Sequence, residues 1–367
     1  MTADALLTLA HVVEPGDQRI GALVEDLGAV EVVARIRDGS IHSRHEDALR
    51  ARLSLVDLDD VRKKADERGV RLVMRGDAEW PSQLDDLGAA RPYVLWVLGS
   101  PNLRLAALKS VAMIGARAST PYGERIAREW SGQLSDLGWL VVSGGAYGID
   151  AAVHRGALAA GGLTACVLAT GIDVAYPRAH EELLARIADS GLLISESPLG
   201  VQARRQRFLT RNRVIAALTR ATVVVEAALR SGTTSTANSA FTLNRPVLAV
   251  PGPTTSPMSA GCHHLIREHA ATLAAGWSDI LEFLGAGSLE SASADSKRLA
   301  AHSRPTDVLN EIQARVLDAF PGSRPIDLQQ LLIESGVGTH ALLGALGTLE
   351  MLNFVVRSND GWRIVRA

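Results

Sequence analysis

From Val111 to Ala270, short apolar runs alternate with stretches whose apolar residues recur at helical spacing. The pieces read VAMIGARAST, WLVVSGGAYGIDAAVHRGAL, TACVLATGID, GLLISESP, ATVVVEAALRSGTTSTA and PVLAVPGP, and each apolar run ends in small, polar residues. The pattern predicts strands near 111–115, 139–143, 164–169, 191–195, 221–226 and 246–250. Helices fit near 122–137, 148–160, 179–189, 211–219, 232–244 and 260–268. Such alternation implies an α/β fold, a parallel sheet covered on both faces. The carboxyl ends of parallel strands are where open α/β sheets take ligands. Glycine-rich corners and helix starts favour anions there, phosphate above all.

The flanks read differently. ALLTLAHVV, RIGALVEDLGAVEVVARIRDG and LDDVRKKADERGV have helical spacing and predict a small helical head over residues 1–75. A bridging segment follows, punctuated by Pro81 and Pro92, before a buried strand from Tyr93 to Leu98. The α/β region then closes a domain over 76–285. Small and charged residues at 286–305 suit a linker. Residues 306–367 give three helical stretches and two short strand-like pieces, FVVR and WRIV, around SNDG, an order that suits a winged helix.

With 367 residues, two or three domains are expected. The formal net charge of −2 means that binding to nucleic acid would need a local basic patch. Cys166 and Cys262 are the two cysteines, which fits a reducing cytosol and a cytoplasmic protein rather than a disulfide scaffold. The first residues carry no signal-peptide pattern, and no apolar run is long enough for a membrane span.

The corners supply candidate chemistry. Gly115 precedes Ala116 and Arg117, whose fork suits a phosphate, although this motif alone reads as an ordinary turn with a solvated arginine. Ser143, Gly144, Gly145 and Gly148 form a GGxxG corner that is not the dinucleotide GxGxxG, and no acidic ribose reader closes the next strand. Gly171 begins a third corner, and Arg178 stands after Tyr176-Pro177 at a helix start. RRQRFLTRNR holds Arg204, Arg205, Arg207, Arg211 and Arg213, with no acid between Glu196 and Glu226, and reads as an uncompensated cationic block. Phe208 within it is a core anchor first and a base-stacking contact second. Ser231, Gly232 and Thr233 start the next helix and can cap it while cradling phosphate. There is no Walker loop and no GxSxG elbow; Cys262, His263, His264 and His269 lack zinc-site spacing. No metal, no cofactor and no catalytic residue is expected.

The order of Gly115-Ala116-Arg117, Ser143 through Asp150, Tyr176-Pro177, Ser195-Glu196, Arg211-Asn212-Arg213, Val225-Glu226-Ala227, Ser231-Gly232, Pro251-Gly252-Pro253 and Gly261 through Ile266 resembles the DprA/Smf family of DNA-processing proteins, from about Trp80 to Leu284. The resemblance implies an extended Rossmann-like fold, flanked by an N-terminal helical (SAM-like) domain and a C-terminal winged-helix domain. It implies binding of single-stranded DNA, work with single-strand-binding protein, loading of the RecA recombinase in natural transformation, a homodimer and no catalytic reaction. On that likeness Arg117 is the phosphate contact of the first glycine loop, Arg178 a second, and Arg211, Asn212 and Arg213 a third group. The chain departs from the family's pattern at Phe208-Leu209-Thr210, at Tyr147, where many members carry Arg, and at His269. The competing expectation is a nucleotide-binding, phosphoribohydrolase-like enzyme, but the stretch from Ser231 to Ala237 lacks the glutamate that such enzymes use. The tail helix THALLGALGTLEML contains no Lys or Arg, which counts against groove reading.

Overall fold

The computed structural model describes residues 2–41, 45–229, 232–268, 271–285, 309–321, 324–358 and 360–365; the expected linker at 286–305, Ser231 and His269 lie outside the described residues. The chain divides into two units, Met1–Gly287 and Ser288–Ala367.

The first unit is organised by strands β1 (Arg71–Met74), β2 (Val94–Leu98), β3 (Ser110–Gly115), β4 (Leu140–Ser143), β5 (Thr164–Leu168), β6 (Leu192–Ser195), β7 (Thr222–Glu226), β8 (Val247–Ala249) and β9 (Thr272–Leu273). They form one nine-stranded sheet in the order β1-β2-β6-β5-β4-β3-β7-β8-β9. From β6 to β9 every pairing is parallel. The expected all-parallel sheet needs correction at one edge, where β2 lies antiparallel to β6 and β1 antiparallel to β2. The reason is the connection. Residues 75–93 carry Pro81 and Pro92 and make a 3-10 segment (Ser82–Ala90) instead of a crossover α-helix, so the chain returns in the opposite sense. The chain also enters this sheet at Arg71, before the expected end of the helical head at residue 75.

Strand alternation divides the core. In β5, Ala165 and Val167 face Val214, Ala217 and Ala240, while Cys166 and Leu168 face Leu7 and Ile187. After the short α6 (Leu103–Ala107), the crossover helices include α7 (Pro121–Asp136), α8 (Ile149–Ala159), α9 (Glu181–Ser190), α10 (Arg205–Leu218), α11 (Thr233–Thr242) and α12 (Ala260–Glu268). Helix α7 starts where the sequence says it should: Thr120 accepts the Gly123 N–H at 3.2 Å and Pro121 occupies the first turn. Helix α10 is longer than its apolar pattern predicts. Its second half, from Val214 to Leu218, is buried on the sheet, and its first half continues past the apolar region as the arginine-rich segment.

The head comprises α1 (Thr2–Val12), α2 (Gln18–Leu27), α3 (Ala29–Asp38), α4 (Glu46–Leu53) and α5 (Leu58–Asp66), with a core of Leu9, Val12, Ile20, Val32 and Ile36. Leu7 and Ala10 of α1 pack onto the sheet beside Trp96 and Cys166. The following loop clamps α10. Glu14 pairs with Arg52 at 3.3 Å and with Arg207 at 3.1 Å. Gly16, at φ +75°, leaves no room for a Cβ, which would sit 2.8 Å from Arg213 Nε. Beneath it Arg213 Nη2 donates to both oxygens of Glu196, at 2.6 and 2.8 Å, and the two side chains are only 12% and 11% exposed.

The second unit has helices Glu311–Asp318, Leu328–Ser335 and Thr339–Met351, then an antiparallel hairpin of Val355–Ser358 and Gly361–Ile364. Val316, Leu331, Leu346 and Val355 close its core. Among the described residues, no helix is long and apolar enough to cross a membrane.

A buried charge that loses its partner costs far more than a surface pair gains. Arg213→Ala strands the Glu196 carboxylate and is expected to destabilise the protein by about 3–5 kcal/mol. Urea titration should show the midpoint fall, and the double substitution Arg213→Met with Glu196→Gln should recover much of the loss; an unchanged midpoint in the single variant would exclude the pair as a structural anchor.

Candidate functional site

An open cleft of about 920 Å³ lies at the carboxyl end of the sheet, lined by Gly115, Arg117, Asp150, Phe208, Arg211, Asn212, Gly232 and Thr233 among others. An inner recess of about 130 Å³ adjoins it, bordered by Gly145, Tyr147, Thr170 and Pro177. Arg117, Ala146, Tyr176, Phe208 and Arg211 line both, so the two spaces are one site.

The first corner is held from below. Strand β3 shifts register against β7 at Ile114/Gly115, and the buried Glu226 at the end of β7 accepts the Thr120 N–H at 2.9 Å and the Thr120 hydroxyl. The loop between is therefore fixed, and Arg117 stands exposed on it with its guanidinium 5.3 Å from the centre of the Phe208 ring. Tyr176 approaches the same ring at 5.1 Å. Phe208 is thus a half-buried wall of the cleft, not the core anchor expected from the sequence.

The second corner is the most constrained. A Cβ at Gly144 would lie 2.6 Å from the Arg211 guanidinium and 2.7 Å from an Asp150 oxygen, so only glycine lets that pair close over the backbone. Gly148, at φ +76°, passes the Ala116 carbonyl so tightly that a Cβ would come within 2.3 Å of it. Two buried histidines orient the peptide planes between. His154 Nε2–H donates to Gly144 O at 2.8 Å, and His180 Nδ1–H donates to Gly145 O at 3.0 Å. Because C=O and N–H oppose one another across a trans peptide, pinning these carbonyls inward turns the N–H groups of Gly145 and Ala146 the other way. The Ala146 N–H meets Asp150 Oδ2 at 3.4 Å. Ser143, expected at the rim, is buried and donates to Met113 O at 2.6 Å, joining β4 to β3.

The other candidates divide. Gly171 is buried, its N–H given to Val201 O at 2.8 Å, and does not line the cleft. Arg178 is exposed after the cis Tyr176-Pro177 bond, outside the residues that line the cleft. Asn212 is buried and donates to Gly232 O at 3.4 Å, tying α10 to the start of α11. Helix α11 has Gly232 as its cap and so makes no side-chain capping bond; Thr233 and Thr234 line the cleft at its first turn. Cys262 is buried with its thiol on Val224 O, and His263 hydrogen-bonds Gly252 O at 3.0 Å.

The cationic block is less free than its sequence suggests. Arg207 is paired with Glu14 and Arg213 with Glu196, which removes Arg213 from the rim where it was expected. Arg211 does face the cleft, with Nη1 on Val167 O and Nε on Asn212 Oδ1 at 3.2 Å. Asp150 stands beside it; burial pushes that carboxyl up, against the opposing pull of Arg211 and the Ala146 N–H. Arg117 and Arg205 are the exposed cations lining the site. Asp150 and Tyr176, which stand in the resemblance motifs without an assigned role, and His154 and His180, which no motif marks, are working parts of the site.

His154 gives the corner a pH dependence. Burial lowers its imidazole from 6.5 to about 4. The folded state therefore holds it neutral while the unfolded chain protonates below 6.5, so its contribution is complete above that pH and is lost as pH falls toward 4. The difference corresponds to about 3 kcal/mol. Melting temperatures of wild type and His154→Gln at pH 7.5 and 4.5 check this: wild type should lose more stability than the variant, and equal losses would refute the assignment.

Comparisons with known proteins give the chain its family. Residues 71–285 match the family model for DNA recombination-mediator protein A. The whole chain is 42% identical to a putative DNA processing protein DprA of Mycobacterium tuberculosis, covering 95% of that protein. It is 38% identical to the Streptococcus pneumoniae DNA processing protein DprA over 56% of this chain and 71% of that one. The X-ray structure of DNA processing protein A from S. pneumoniae superposes with a TM-score of 0.66 at 29% identity, over 77% of this chain and 98% of that one. A solved structure of DNA processing protein A from Helicobacter pylori, described for its unique single-stranded DNA binding mode, superposes with a TM-score of 0.53 at 27% identity, over 58% of this chain and 95% of that one. The chain belongs to the DprA/Smf family of DNA-processing proteins, the DNA recombination-mediator protein A family.

Proposed function

We propose that this protein binds single-stranded DNA along the cleft and acts as a recombination mediator. The observation that carries the reading is the convergence of Arg117 and Arg211, the Tyr176 and Phe208 rings, the Gly145 amide and the α11 amino terminus on one open space at the sheet's carboxyl edge. Cations and amides suit the sugar–phosphate chain, and exposed rings suit unstacked bases, which a single strand offers and a duplex does not. The relative from H. pylori supports the same reading. Arg117, Gly115, Gly144, Gly145, Gly148, Arg211, Asn212, Gly232 and Thr233 are the proposed site, with Ser231 adjoining in sequence; Arg178 serves as a flanking contact on its exposed position.

In this proposal the chain protects incoming single strands, works with single-strand-binding protein and loads the RecA recombinase. One cleft grips weakly, and a homodimer would set two on one strand and gain through effective concentration. The domain plan follows: a SAM-like helical head over 1–75, the binding domain over 76–285, a linker at 286–305 and a winged helix over 306–367. The helix Thr339–Met351 of the tail presents Leu343 and Met351 to solvent and carries no Lys or Arg, so contact with protein suits it better than duplex reading. A hydrolase acting on nucleoside monophosphates would need a free carboxylate in the cleft. Asp150 is engaged by Arg211 and the Ala146 N–H, and Glu226 by Thr120.

Fluorescence titration with oligonucleotides tests the reading. Arg117→Ala should weaken binding roughly tenfold for every base composition and reduce the slope of log K against log salt by about 0.7. Phe208→Ala should cost about 1–3 kcal/mol on a thymidine oligonucleotide and little on an abasic strand. Unchanged affinity in both variants at low salt, or base release from a nucleoside monophosphate by the wild type, would overturn it. Deleting residues 306–367 should leave most of the single-strand affinity; complete loss would move the main site to the tail.

A further inference from the structure

The other end of the same sheet carries a second patch. Leu140 N–H donates to Lys109 O at 2.8 Å, Val141 N–H to Leu163 O at 3.2 Å and Arg220 N–H to Ser110 O at 3.1 Å. These bonds bring the segments before β3, β4, β5 and β7 to one surface. On it Leu105, Leu108, Leu137 and Leu163 are 66%, 57%, 39% and 37% exposed. Single exposed leucines need no explanation, but several adjoining ones do. Among them sits Trp139, buried to 2%, with Lys109 Nζ 5.6 Å and the Arg220 guanidinium 5.9 Å from its ring centre.

Two cations share this surface, whereas some others of this unit, Arg71, Arg91, Arg207, Arg213 and Arg245, each reach a carboxylate. Among the described residues Lys109 and Arg220 reach none; their contacts are the Trp139 ring and, for Lys109, the Leu137 carbonyl at 2.6 Å. That carbonyl takes one of the three ammonium donors and leaves the others outward. A cation laid against an indole is already partly dehydrated, so a second contact with a carboxylate costs it less.

We propose that this pole is a docking surface for an acidic, apolar peptide segment of a partner protein, its carboxylates on Lys109 and Arg220 and its apolar side chains on the leucines. A nucleic acid would match the cations and leave the leucines in water; a neutral hydrophobic partner would do the reverse. Only a segment with both properties complements the whole patch. Strand β3 has six residues, so the patch stands about 20 Å from the cleft, at 3.3 Å per residue, and both can be filled together. The proposal stands independently of strand binding.

The test uses the full chain and a fluorescein-labelled peptide of three aspartates followed by Leu-Phe-Leu, read by anisotropy at low salt. Control peptides replace the aspartates by lysines or the apolar residues by serines. Saturable binding is expected for the first, with about tenfold or greater loss for each control and for each of two variants, Lys109→Glu/Arg220→Glu and Leu108→Ser. Leu108 is mostly exposed, so its variant should fold, and melting curves check both. No binding by the acidic peptide, or binding that neither variant weakens, overturns the proposal. Loss of oligonucleotide affinity in the charge-reversal variant would mark the face as a nucleic-acid track instead. A lower sedimentation coefficient in Leu108→Ser would mark it as a contact between copies of this chain. Either result also overturns it.

Discussion

A guanidinium taken out of water must be given an anion, and the pairing of Arg213 with Glu196 sets much of the rest of the molecule. It fastens α10 at its middle, under the loop of the head that Gly16 allows to approach. Successive helix residues turn by about 100°, so Arg211, two positions earlier, points away from Arg213 by about 200°. With one arginine held inward against Glu196, the other is directed at Asp150 and the cleft. Phe208, three residues before Arg211, falls on the same side and forms the wall against Tyr176 and Arg117. The buried half of α10 supplies the rigidity, and the polar half supplies the site.

This division explains what the amino-acid pattern told and what it hid. The alternation of apolar runs and helical stretches located each parallel strand from β3 to β8 within about a residue or two, because burial on both faces leaves an unbroken apolar signature. The first half of α10 escaped since RRQRFLT has no apolar stripe, yet the helix extends through it. The antiparallel edge escaped because a strand's direction depends on its connection, and 3-10 geometry leaves no periodic trace. The arginine block looked uncompensated because its acids lie outside it: Glu14 is 193 residues from Arg207, and Glu196 is 17 from Arg213. Two arginines spaced i, i+2 on a helix cannot share a face, so Arg211 and Arg213 do not serve one cleft together.

The glycine corner shows a different limit. That Ser143 through Gly148 would present backbone amides was legible from composition alone. What turns them was not. His154 and His180 sit in helical context and read as ordinary core or surface residues; only the fold brings their ring nitrogens under Gly144 and Gly145. The apolar surroundings that keep His154 neutral also protect its bond to the Gly144 carbonyl from water. A corner of flexible glycines is thereby made rigid by two side chains that touch no ligand.

The carboxylate of Asp150 in a cleft proposed to bind a polyanion looks self-defeating, and its position argues otherwise. Arg211 is largely enclosed, held by Val167 O and Asn212, and a buried guanidinium without a counter-charge would be costly in the empty protein. Asp150 supplies a nearby counter-charge, while Val167 O and Asn212 keep the arginine in place before anything binds. The same arrangement reduces the net positive field that an incoming phosphate meets, so much of the electrostatic attraction falls to the exposed Arg117 and Arg205. A protein whose proposed task is to hold a strand and then hand it on gains from this balance. In that proposal the site is organised in advance, and the grip stays moderate because one of its cations is already half spent.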